Sequence, residues 1–219
     1  ATATPPQLEG VSFKQRLNEQ LPLDARFKDE HGRDVTLGQY FGTRPVMLAF
    51  VYYSCPMLCM QVIHGVAGSL KAVPFVPGRD FDVVYVSFDP RDTPKEALAK
   101  KQEMLEDFHQ QPNADGWHFL SGDEATIKRV TEAAGFFYRW EERTQQYAHV
   151  SGVLVATPDG RLSRYFYGIE YSPKDLRMAL VESGKGTIGG AVDELLLYCY
   201  HYDPAAGRYG AVPMNIVRL

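Results

Sequence analysis

The chain has 219 residues, 45% of them hydrophobic and 23% charged, with a net charge of −4; this is the composition of a folded globular protein, not of a disordered or fibrous one. Lysine and arginine are spread along the chain instead of clustered, which gives no electrostatic footprint for a nucleic-acid backbone. No run of about 18 apolar residues is present to cross a bilayer, and three cysteines are too few for a disulfide scaffold at this length.

One core with terminal extensions is favoured over two small domains. The reading is an N-terminal arm over 1–22, a domain over 23–184 and a C-terminal extension over 185–219. The start, Ala-Thr-Ala-Thr-Pro-Pro without Met, is what a processed chain would show. Asp29-Glu30-His31-Gly32 is a turn cluster between alternating segments, so a hairpin is expected over 23–35. After Arg44-Pro45, the apolar run 46–53 reads as a strand buried on both faces, as in the middle of an α/β sheet. A helix follows over 56–73, with Pro56 suited to its first turn and Val62, Val66 and Leu70 recurring every fourth residue.

A strand over 81–88 ends at Asp89-Pro90-Arg91-Asp92-Thr93-Pro94, which turns the chain into a helix over 94–110. A short strand over 117–120, a helix over 123–134 with Ser121 as its candidate cap, and an extended stretch over 136–140 continue the alternation. Pro158-Asp159-Gly160, between strands over 150–157 and 161–167, signals an antiparallel hairpin. A closing helix occupies 173–183, four glycines at 184, 186, 189 and 190 loosen the chain, and 192–200 is compatible with helix or strand. The fold class is α/β, a central mixed sheet flanked by helices.

Cys55 and Cys59, separated by three residues at a helix start, fall on neighbouring positions of one face, where two sulfurs can converge. A helix N-terminus favours negative charge, and thiolate is both the nucleophile and the ligand for soft metals, so the pair points to Cu(I), zinc or redox exchange. Two thiolates do not close a tetrahedral zinc site, and no further Cys or His grouping supplies the rest, which disfavours zinc. Cys199, in Tyr198-Cys199-Tyr200-His201-Tyr202, is read as a packing residue. Of the histidines at 31, 64, 109, 118, 149 and 201, His149 stands out. It precedes the strand from Val150, at the loop end of an element that would lie beside the cysteine strand in a thioredoxin-like sheet, whereas His64 falls well round the helix from the cysteine pair.

Four segments in one order resemble the Sco/SenC family of copper proteins involved in assembling cytochrome c oxidase, over about 21–184. They are Phe50-Val51-Tyr52-Tyr53-Ser54-Cys55-Pro56-Met57-Leu58-Cys59, Ser87-Phe88-Asp89-Pro90-Arg91-Asp92-Thr93-Pro94, Trp117-His118-Phe119-Leu120-Ser121-Gly122, and His149 before Val155-Ala156-Thr157-Pro158-Asp159-Gly160. The chain departs from the family pattern where Met60 follows Cys59 and where Val-Ser-Gly follows His149.

The resemblance implies a thioredoxin-like fold and one copper, Cu(I) or Cu(II), held by residues matching Cys55, Cys59 and His149. It also implies an acidic loop, acting in partner or copper-site function, that matches Asp89 and Asp92. The expected partner is the copper-bearing subunit of cytochrome c oxidase or another copper chaperone. The expected location is outside the cytoplasm, in a bacterial periplasm or at the outer face of the membrane. The tail 197–204 looks like that of a bacterial branch whose members often continue into a membrane anchor. Two other functions use the same residues: a thiol-disulfide reductase with Cys55 and Cys59 as the redox pair, and a redox or copper sensor. A thiol peroxidase is set aside because Leu48 and Tyr52 stand where that chemistry would place Pro and Thr.

Overall fold

In chain order the elements are β1 (Ser12–Phe13), β2 (Arg26–Lys28), β3 (Asp34–Thr36), β4 (Val46–Val51), α1 (Leu58–Leu70), β5 (Asp82–Ser87), α2 (Pro94–Asp107), β6 (Trp117–Leu120), α3 (Glu124–Ala133), β7 (Phe136–Phe137), β8 (Arg139–Glu141), β9 (Gln146–Ala148), β10 (Gly152–Ala156), β11 (Leu162–Tyr167), α4 (Pro173–Ser183), β12 (Tyr200–Asp203) and β13 (Arg208–Ala211). The structure, a computed structural model, describes residues 10–54, 58–109, 111–185 and 200–211, with no description of the side chains of 58–59, 111–112, 200–201 and 211.

Five strands form the central sheet in the order β11-β10-β4-β5-β6. β4, β5 and β6 run parallel, joined by α1 and α2, while β10 is antiparallel to both β4 and β11. Every residue of β4, β5 and β10 is buried, which is why their sequences are apolar runs without alternation. Each large side chain so buried contributes about 1.5–3 kcal/mol. α1 packs on β4 and against α2 and α4, and its buried residues Val62, Val66 and Leu70 are the fourfold repeat seen in the sequence. This is the expected α/β, thioredoxin-like arrangement.

The topology puts loops of interest at one edge. In parallel βαβ units the segments after the strands' carboxyl ends gather on one side of the sheet. The residues following β4 and β5 therefore lie there together. The antiparallel register of β10 on β4, Leu154↔Leu48 and Ala156↔Val46, brings the start of β10 to that same edge.

Several boundaries differ from expectation for local reasons. α3 is capped by Asp123, whose carboxylate accepts the Thr126 N–H at 2.9 Å, and not by Ser121, whose backbone pairs with Lys28. α2 opens with a capping box between Thr93 and Glu96, with Pro94 in the first turn, and stops at Asp107, ahead of His109 at a positive φ of 54°. The stretch 136–140 divides: β7 pairs with β1, and β8 forms a hairpin with β9.

Both terminal segments touch the domain. Phe13 meets Phe136 and Tyr165 edge-on, at 5.4 and 5.1 Å between centroids. The Tyr202 hydroxyl accepts from Tyr165 N–H at 3.0 Å and donates to Tyr165 O at 2.6 Å, filling a ladder position on the edge strand β11. Gln15 reaches across to the Tyr202 hydroxyl and to Pro204 O.

Two glycines of α1 make the helix's seating testable. A Cβ on Gly65 would lie 1.9 Å from the carbonyl oxygen of Ile169, whereas a Cβ on Gly68 would meet only the Phe108 ring at an ordinary 3.5 Å. Gly65→Ala is expected to destabilise by at least about 1–3 kcal/mol through overpacking. Gly68→Ala is expected to be neutral or stabilising by up to about 1 kcal/mol, the helix-propensity gain. Urea unfolding of both variants checks this; equal effects would contradict the close approach of α1 to the segment containing Ile169.

Candidate metal and thiol site

Cys55, which follows β4 in the chain, and Cys199, which precedes β12, both lie outside the described residues. Cys59 is the second residue of α1, where the partial positive charge of a helix start stabilises a thiolate and no acidic residue shares the first turn; its side chain is not described. What the structure describes is the frame around this segment.

On the β4 side, Tyr53 is buried, and its hydroxyl is placed to donate to Leu120 O at 2.8 Å, with Tyr85 O at 3.2 Å. Its backbone N–H donates to the carboxylate of Asp92 at 2.5 Å. Asp92 also accepts from the hydroxyls of Ser54, at 3.0 Å, and Ser87, at 2.6 Å. One buried carboxylate thus ties the end of β5 to the two residues that lead into Cys55. Desolvation pushes the Asp92 carboxyl above the ordinary carboxylate range, the three hydrogen bonds pull against that, and the neighbouring Asp89 adds to the rise.

Asp89 is fully buried and faces Arg91 on the same loop. Its Oδ1 accepts the Arg91 backbone N–H and Nε–H, each at 2.9 Å, and its Oδ2 accepts Nη2–H at 2.7 Å. The Asp89 carboxylate raises the guanidinium pKa further and keeps it charged. The guanidinium carbon lies 4.5 Å from the centroid of the Trp140 ring and 5.9 Å from that of Tyr147, a contact worth about 0.5–1 kcal/mol at an exposed site.

On the β10 side stands His149. Its ring is flanked by Phe88, Tyr52 and Phe136 at 5.1, 5.9 and 6.3 Å between centroids. Its Nδ1 lies 2.9 Å from Val150 O. A carbonyl oxygen only accepts, so Nδ1 carries the proton and the lone pair of the neutral imidazole sits on Nε2, the tautomer in which Nε2 can ligate a metal. Burial pushes the Tyr138 hydroxyl up to about 12 and raises that of Tyr147. Both phenols are therefore neutral near neutral pH, and this aromatic wall adds no competing anion.

The structure thus brings Asp89, Asp92 and His149 to the edge at which the Cys55–Cys59 segment begins. Among the described residues, which exclude both thiols, no three potential ligands cluster. His64 faces α2, with Nε2 3.6 Å from Asp107 and its ring against Phe108. His118 bonds Asp82 at 3.0 Å, at the opposite end of β5, where Arg44 completes the pair. Sequence reasoning missed Ser87, Arg91, Trp140 and Tyr147. Arg91 lay inside a segment already singled out, and the aromatic residues on either side of 141–146 were the signal of the β8–β9 hairpin.

A family model described as SCO1/SenC matches residues 15–183. The chain belongs to the SCO1/SenC family. No curated protein gives a match. Solved structures similar to this SCO1/SenC chain include a SCO1/SenC family lipoprotein from Bacillus anthracis, with a TM-score of 0.61 and 19% identity over 78% of this chain and 98% of that one. ScoI of Arabidopsis thaliana, solved with copper bound, gives 0.58 and 20% over 73% and 95%. BsSco, a member of the Sco family of cytochrome c oxidase assembly proteins in which a disulfide switch was identified, gives 0.56 and 20% over 80% and 99%. At these identities the likeness is one of fold, and it spans nearly the full length of each relative.

Asp92 gives this SCO1/SenC frame a pH signature. Because its folded pKa is raised, the native state binds the proton more tightly than the unfolded chain, and this group's contribution to stability falls as pH rises from the ordinary carboxylate value through the raised one. Asp92→Asn removes that slope. Its Oδ1 can still accept from Tyr53 and Ser87, and its Nδ2 can donate to Ser54 Oγ. The stability of Asp92→Asn relative to the parent is expected to increase from acid to neutral pH. Asp92→Ala, which strands the Tyr53 N–H, is expected to cost about 1–3 kcal/mol. Denaturant unfolding across a pH series checks both; a pH-independent difference for Asp92→Asn would contradict the assignment.

Proposed function

We propose that this chain is a copper metallochaperone that carries one copper ion between the thiolates of Cys55 and Cys59 and Nε2 of His149. The copper is cargo, passed to the copper-bearing subunit of cytochrome c oxidase or to another copper chaperone. The observation that carries the reading is the antiparallel seating of β10 on β4, which delivers the Nδ1–H tautomer of His149 to the edge where β4 runs into the Cys-x-x-x-Cys segment. Family membership supports it, as do the copper in Arabidopsis ScoI and the cytochrome c oxidase assembly role of the family that includes BsSco. The lipoprotein relative supports a location outside the cytoplasm, anchored at a membrane. The functional unit is 23–184, with 1–22 and 185–219 appended to it.

The chemistry suits transfer. Two soft thiolates satisfy Cu(I), which accepts low coordination, and such a site can pass its ion by stepwise ligand exchange; the imidazole matters more to Cu(II), which prefers nitrogen and more ligands. A second reading is favoured by the placement of Cys59 in the first turn of α1 and by the disulfide switch of BsSco. In it one thiolate attacks a target disulfide, the other resolves the mixed disulfide, and the target leaves as a dithiol while Cys55 and Cys59 are oxidised to a disulfide.

Anaerobic titration with Cu(I) and Cu(II) tests the proposal. One copper per chain is expected, with an intense thiolate-to-Cu(II) charge-transfer band that Cys55→Ser and Cys59→Ser abolish. His149→Ala is expected to keep Cu(I) binding and to lose Cu(II) affinity by at least about tenfold, the scale at which even outer-sphere changes act. Protein oxidised to the Cys55–Cys59 disulfide is expected to take up no copper. A well-folded His149→Ala with unchanged Cu(II) affinity would remove His149 from the site.

A further inference from the structure

Arg91 stands outside the proposed ligand set yet joins two parts of the site. Its N–H groups hold the buried Asp89 carboxylate at 2.7–2.9 Å, and its guanidinium carbon lies over the rings of Trp140 and Tyr147, 4.5 and 5.9 Å from their centroids. Those two rings belong to residues directly opposite each other in the β8–β9 hairpin, which ends at Ala148, one residue before His149. Tyr147 in turn stands edge-on to Tyr52 and Phe88, at 5.5 and 5.4 Å, the two rings that also flank His149.

The hairpin forms a two-stranded sheet of its own and shares no ladder with the five-stranded sheet. Its orientation is therefore set by side-chain packing, and a guanidinium pinned on a buried carboxylate is a fixed surface for it to pack on. Lysine could pair with Asp89 but offers no planar face and no fork of donors, so arginine at this position is not interchangeable with it.

We propose that Arg91 is a positioning residue: packed over Trp140 and Tyr147, it fixes the β8–β9 hairpin and through it the His149 imidazole, and so tunes the hold on Cu(II). This rests on the reading of His149 as a ligand. Arg91 touches neither the copper nor the thiols in this scheme, so Cu(I), held by two sulfurs, is unaffected by its packing on the hairpin.

The test uses the full chain with Arg91→Lys, Trp140→Leu, the two combined, Trp140→Phe as the conservative variant, and His149→Ala in parallel. Three quantities are measured: amide hydrogen exchange across 139–148 in metal-free protein, affinities for Cu(I) and Cu(II), and the unfolding midpoint. Arg91→Lys and Trp140→Leu are each expected to lose exchange protection in the hairpin and to bind Cu(II) about tenfold more weakly with Cu(I) affinity unchanged. The combined variant should be no weaker than either alone, because both changes break one contact. Trp140→Phe, which keeps an aromatic face, should restore both properties.

If Arg91→Lys and Trp140→Leu keep wild-type hairpin protection and Cu(II) affinity while His149→Ala loses the latter, the Arg91 proposal fails and the ligand reading stands. Equal losses of Cu(I) affinity, Cu(II) affinity and stability would mark Arg91 as merely structural and also overturn it. An unchanged Cu(II) affinity in His149→Ala overturns the ligand reading and this proposal with it.

Discussion

A single buried carboxylate, that of Asp92, holds the loop after β5 against the end of β4. It accepts from the Tyr53 backbone N–H, which has left the sheet ladder and needs a partner, and from the hydroxyls of Ser54 and Ser87. Breaking this arrangement strands a buried donor two residues before Cys55. Keeping it holds a carboxylate in a poorly solvated position, and the rise in its pKa records that tension. The same segment, Asp89 to Asp92, carries Arg91 and through it meets the hairpin that leads into His149. Four consecutive residues therefore touch both approaches to the site.

This economy follows from the sheet. Parallel β4 and β5 both end at one edge, so their following loops are neighbours, and only an antiparallel strand can bring its beginning to that edge. β10 is that strand. With the three middle strands of the sheet, β10, β4 and β5, fully buried, the edge is positioned by a close-packed body. The rings of Tyr52, Phe88 and Phe136 extend that rigidity up to the imidazole. They also lower the local polarity around it, which strengthens any electrostatic interaction made there.

The buried strands were legible in the sequence because β4, β5 and β10 are continuous apolar runs, and the closing helix expected over 173–183 has those bounds, with Ser172 as its cap. His149 was legible through strand order: once 150–157 is read as a strand beside the cysteine strand, the residue before it has few places to go. Other features depend on contacts that no local pattern encodes. β9 is three residues of exposed and half-buried character whose strand state exists only through its pairing with β8. Arg91 reads as a solvated turn residue until Trp140 and Tyr147 are seen beneath it. Ser121 resembled a helix cap by residue type, but its backbone was already committed to Lys28, and Asp123 was better placed. Cys59 is placed by its backbone in the first turn of α1.

The central claim is that two sulfurs and one imidazole converge on a single copper at this edge. X-ray absorption at the copper edge of the Cu(II)-loaded full chain reads the ligand shell directly. The account predicts a shell of two sulfurs and one nitrogen with the outer scattering of an imidazole ring. A shell with a single sulfur, or with nitrogen and oxygen alone, would contradict it.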